Sequence, residues 1–174
     1  MNHILSKTYN LDSIIQDLQT RLYNHLVAKW GTNKIDAYGR VYKNERSGKT
    51  IPEVYNATEK GYKEVLYNGQ SCFFFVDDDN HPCIDQDHEF TTDVKICFMV
   101  NLDDIKSETE RVDEDVKKDI VTFLAGNDYQ FKMNGYIKGI DNVFKEFDTQ
   151  KIKNNDMHPL HVLAIETSFS YSVI

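Results

Sequence analysis

The sequence predicts an α+β fold, an antiparallel β-sheet with two α-helices packed on one face. Three observations carry this expectation. At the end of the chain Leu163, Ile165, Thr167, Phe169, Tyr171 and Val173 alternate with Ala164, Glu166, Ser168, Ser170 and Ser172, the period of two of a half-buried strand. Val94, Ile96, Phe98 and Val100 alternate in the same way with Asp93, Lys95, Cys97, Met99 and Asn101. Two segments instead show helical spacing: Leu11, Ile14, Ile15, Leu18, Leu22 and Leu26 form one apolar stripe, and Val112, Val116, Ile120, Phe123 and Leu124 form the other.

Taken in order, residues 11–29 read as the first helix, with Asn10 as the N-cap and Gly31 just past its end. Residues 35–43 predict a short strand, and the polar stretch 44–50 (NERSGKT) a turn or loop. The aromatic run 71–77 (SCFFFVD) predicts a buried strand, followed by a loop over 77–88 (DDDNHPCIDQDH). A strand over 91–102 leads to a helix at about 108–125, where Ser107 and Glu110 have capping-box spacing. That helix is expected to expose Glu114, Asp115, Lys117, Lys118 and Asp119. Gly126, Gly135 and Gly139 punctuate residues 126–160, with a short helix or strand around 140–148, and 162–173 closes the sheet. A single domain over 1–174 is therefore expected, with long loops at 44–70, 77–90 and 126–160.

The composition supports a packed core, with 40% hydrophobic and 12% aromatic residues. The net charge of −8, from 20 basic and 28 acidic residues, favours a surface that repels nucleic acid. Three cysteines without regular spacing, Cys72, Cys83 and Cys97, argue against a disulfide framework and for a reduced, intracellular setting. No signal-peptide pattern opens the chain, and no apolar run approaches the roughly 20 residues of a membrane helix.

The motifs give little chemistry. His81, Cys83, Asp85, Asp87 and His88 are all metal-ligand types, but their spacing fits no standard zinc pattern. Asp77, Asp78 and Asp79 are consecutive rather than alternating, and no calcium-loop glycine or closing glutamate accompanies them. Ser47-Gly48-Lys49-Thr50 matches the end of a phosphate-binding loop but lacks its leading glycine, and Pro52 follows. His158 and His161 flank Pro159 and Leu160 with no nucleophile beside them. The sequence thus assigns no catalytic, cofactor-binding or metal-binding residue.

The order of elements resembles the tail terminator and tail-completion proteins of tailed bacteriophages. The resemblance is carried by the opening helix LDSIIQDLQTRLYNHLVAKW, the central strand TTDVKICFMVNL, the following helix RVDEDVKKDIVTFLA and the final strand HVLAIETSFSYSVI. It implies a tail-terminator-like fold and a structural virion protein without enzymatic activity: a ring-forming neck, head-tail connector or tail-terminator component. Its implied partners are further copies of itself in a ring, portal-side or tail proteins, and genome DNA passing the lumen without specific binding; no membrane is implied. The implied localisation is the virion, and the host cytoplasm during assembly. The acidic segments 77–79 and 113–119 would suit a lumen along which phosphate slides, and Tyr38, Tyr42, Tyr55 and Tyr62 would suit subunit contacts. Two other classes stay open: a metal-dependent enzyme using the 77–88 loop, and an acidic soluble binding or immunity-type module.

Overall fold

A computed structural model describes residues 1–84, 88–105, 111–126 and 131–173. The helix α1 (Leu11–Trp30) opens the fold, followed by the strands β1 (Ile35–Arg40), β2 (Tyr42–Arg46), β3 (Lys49–Asn56), β4 (Gly61–Glu64), β5 (Ser71–Asp77) and β6 (Glu89–Asn101). Then come the short α2 (Leu102–Ile105), α3 (Asp113–Ala125), β7 (Phe131–Lys138), the one-turn α4 (Ile140–Val143) and β8 (Leu160–Ser172). Among the described residues the strands form two sheets, a five-stranded one in the order β1-β5-β6-β8-β7 and a three-stranded one in the order β2-β3-β4.

The α+β class is the observed one, and β5, β6, β8 and β7 pair antiparallel. The large sheet is nevertheless mixed, because β1 pairs with β5 in parallel. Parallel neighbours need a crossover connection of about a dozen residues or more. Here that crossover is the three-stranded sheet, where the sequence predicts a loop over 44–70. β2 and β3 form a hairpin in which Arg46 opposes Lys49, so Ser47 and Gly48 are its two-residue turn. Both have positive φ, 54° and 75°, which matches the twist of the flanking strands. The SGKT stretch is therefore a hairpin tip, not a strand-to-helix phosphate loop.

The loop expected over 126–160 is also occupied, by β7 and α4. β7 is the outer strand of the large sheet, paired only on its β8 side, and its register shifts between Met133 and Gly135. An edge strand needs little apolar alternation, so its sequence gives only a weak signal. The 77–88 loop lies as expected as far as it is described, and Asp85 and Asp87 lie outside the described residues.

Two apolar layers sandwich the large sheet. Leu18, Leu22 and Leu26 of α1 and Val116, Ile120 and Leu124 of α3 pack with Phe73, Phe75, Ile96, Phe98, Leu163 and Ile165, so the two long helices share one face as predicted. The opposite face is not open. Phe74, Val76, Cys97, Met99, Val162 and Ala164 pack there with Ile140, Val143, Phe144 and Phe147. This explains the unbroken SCFFFV run, since successive side chains of β5 enter opposite layers. Phe73 lies 5.4 Å from Phe98 on one side, and Phe74 stacks 5.8 Å from Phe144 on the other.

The caps divide. Gly31 takes the left-handed conformation and returns its N–H to the Val27 carbonyl, as the sequence predicts. Asn10 does not act as a side-chain cap; it has φ 51°, and its backbone oxygen accepts from Ser13 and Ile14. The observed α3 begins at Asp113, and the Ser107–Glu110 box lies outside the described residues.

Candidate functional site

Arg40, at the end of β1, binds two carboxylates. Its Nε and Nη2 donate to Asp12 at 2.7 and 3.1 Å, and its Nη1 donates to Asp77 at 2.9 Å. Asp12 stands in the first turn of α1 and Asp77 ends β5, so the network ties helix to sheet. The hydrogen bonds that Arg40 donates to Asp12 raise its pKa further above its already high value, so the guanidinium is a fixed charge.

His81 extends this network. Its Nε2 lies 3.1 Å from Asp77 Oδ2 and 2.7 Å from the Asp78 carbonyl. Both partners only accept, so Nε2 carries the proton. Nδ1 lies 2.8 Å from the Tyr171 hydroxyl on β8, and burial raises the Tyr171 pKa. The neutral pair is then Tyr171 donating to His81. The arrangement orders His81 but fills both of its ring nitrogens. An open cleft of about 440 Å³ adjoins it, lined by Arg40, Tyr42, Lys43, Asp78 and His81 among others.

The other predicted ligands do not join this cluster. Cys83 is exposed and its backbone forms an isolated antiparallel bridge with Phe90, and the His88 carbonyl accepts from Val173. Cys72 and Cys97 are buried free thiols, and burial pushes the Cys72 pKa up to about 12. Among the described residues no group of three His, Cys, Asp or Glu side chains is placed to hold a metal ion. His158 is exposed, whereas His161 is half-buried on β8 opposite Val100.

The acidic segments carry less free charge than the sequence suggests. Asp77 is held by Arg40, and Asp79 pairs with Lys43 at 3.1 Å. Asp113 pairs with Arg111, which pulls its pKa down to about 2, and Glu114 pairs with Lys117. Asp119, expected on the wet face, is only 7% exposed; its Oδ2 accepts from the Trp30 indole at 2.9 Å. Its place three residues after Val116 and one before Ile120 sets it within the apolar stripe, a signal that the charge obscures. Asp12 and Trp30 mark opposite ends of α1, so the two acidic segments are separated by roughly 27 Å along the helix.

The aromatic residues expected at contacts also divide. Tyr38 is buried, with its ring 4.5 Å from that of His3. Tyr42, Tyr55 and Tyr62 are 50%, 42% and 48% exposed and stand on the three strands of the small sheet rather than in a loop. Tyr55 and Tyr62 are cross-strand partners, and Tyr62 meets both other rings edge-on at 5.5 and 5.6 Å. Val54, Val65 and Leu66 pack toward the main body, and Lys49–Asp148 and Lys151–Glu64 pairs tie the small sheet down.

Comparison of the chain with protein-family models, curated proteins and solved structures gives no match. Among the described residues no helix is long and apolar enough to cross a membrane.

Proposed function

We propose that the protein is a structural component of a tailed-phage virion, a ring-forming neck or tail-terminator-like subunit through which the genome passes. The observation that carries the reading is the Tyr42–Tyr55–Tyr62 cluster, three half-exposed rings held edge to face on a sheet anchored to the main body. Tyrosine adds large contact area at low entropic cost, and side chains already ordered lose less on association. The order of helices and strands along the chain supports the same reading through its resemblance to tail terminators.

The charge balance suits the role. A net charge of −8 keeps a passing phosphate backbone from adhering. Exposed Asp78 and Asp115 serve such a lumen; Asp79 and Glu114 are offset by Lys43 and Lys117, and Asp119 is buried. Negative-stain microscopy of the concentrated protein, alone and with the portal-side and tail proteins encoded beside it, is the test. Closed rings are expected in at least one of these samples. Dispersed single subunits in all of them contradict the reading.

A further inference from the structure

Residues 1–9 precede α1 as an arm along the outer edge of β1. Asn2 bridges Ala37 in parallel; the His3 N–H donates to the Ala37 carbonyl and the Ala37 N–H to the Met1 carbonyl, both at 2.9 Å. The arm thus adds an isolated bridge to the outer edge of the large sheet. Side chains of α1 lock it in place. Gln16 imitates a strand partner, accepting from the Leu5 N–H at 2.6 Å and donating to the Leu5 carbonyl at 3.1 Å. The buried Gln19 amide donates to Asn2 Oδ1 and the His3 carbonyl, and Asn2 donates to Thr20 Oγ1.

The docking is specific, yet none of residues 1–10 is buried. Ile4, Leu5 and Tyr9 are 61%, 46% and 70% exposed. A cavity of about 590 Å³ separates the arm from the small sheet, so packing does not hold the arm on that side. Where the arm meets α1, Asn10 has φ 51° and ψ −125°, an uncommon conformation for a residue with a side chain. A segment tied by specific polar bonds, carrying uncovered apolar side chains and joined by a strained residue, can be exchanged at little cost. Every bond it makes to its own β1 and α1 can be made equally to those of another copy.

We propose that residues 1–9 are exchanged between copies, the arm of one subunit pairing with β1 and Gln16 of the next. This rests on the ring-forming reading, because head-to-tail exchange closes a ring when the rotation between copies closes. It also gives Ile4, Leu5 and Tyr9 a neighbouring surface to cover them.

The test places Leu5→Cys and Gln16→Cys in a Cys83→Ser background and bridges them with a short bis-maleimide. Exchange predicts a ladder of covalently linked chains on a denaturing gel. Linkage only within single chains overturns exchange; if the same sample shows rings by microscopy, the ring reading stands without it. A second readout mixes the single variants Leu5→Cys and Gln16→Cys, each in the Cys83→Ser background, under the same bis-maleimide. Exchange predicts a linked species of twice the subunit mass that neither variant gives alone, and its absence overturns the proposal.

Discussion

The Asp119 carboxylate shows how one residue redefines a surface. It joins α3 to α1 through the Trp30 indole, with Lys29 at 3.8 Å on the same carboxylate. Replacing Asp119 with Ala removes the indole's acceptor from a buried position, which costs about 1–3 kcal/mol. Urea unfolding followed by Trp30 fluorescence checks this, since Trp30 is the chain's single tryptophan. His161 gives a pH signature. Burial lowers its pKa below the ordinary 6.5, against the opposing pull of Asp113 and Glu114, while Lys138 and Arg111 add to the lowering. A lowered folded-state pKa means that the unfolded chain binds the proton more readily. The contribution is then present above about pH 6.5 and is lost as pH falls toward the folded-state value. Calorimetry of His161→Gln from pH 7 to pH 5 is expected to show a flatter decline than the parent, by at most about 1.4 kcal/mol per pH unit. An identical decline contradicts this assignment.

At the scale of elements, legibility followed burial. β5, β6 and β8 stand out in the sequence because their inward positions must be apolar, and α1 and α3 stand out because each lays one stripe on the sheet. The strands YKNER, KTIPEVYN and GYKE do not stand out, because one face of the small sheet meets solvent and its stability rests partly on charge. Glu53 is one source of that stability: it is buried and bound by both Arg46 and Asn44. The parallel pairing of β1 with β5 was hidden for the same reason, since it follows from the crossover that the small sheet forms. Of the candidate site, the exposed tyrosines were legible as residues but not as a cluster, because their proximity depends on the β3–β4 register. The turn that sets the β2–β3 hairpin gives an element-scale prediction. Gly48 has φ 75°, where a β-branched side chain is costly. Gly48→Val is expected to lose about 1–2 kcal/mol, read by thermal unfolding, while the α1–α3 layer keeps its helical signal.

At the scale of the molecule, the large sheet and its two apolar layers form the core, and the proposed contact surfaces are attached to it. The small sheet with its tyrosines rises from the crossover, and the residue 1–9 arm lies along the outer side of β1. Both adjoin the same cavity, which brings the two proposed contact elements to one side of the subunit. The acidic segments lie near opposite ends of α1, so they do not merge into one acidic patch. The proposed ring depends on association of copies of the chain through Tyr42, Tyr55 and Tyr62. The most direct measurement is the particle mass by light scattering, for the parent and for Tyr42→Ser/Tyr55→Ser/Tyr62→Ser, over a wide concentration range. The parent is expected at a discrete multiple of the subunit mass and the triple variant at the mass of one subunit, with matching circular dichroism. A folded triple variant that assembles to the parent's mass would contradict that dependence.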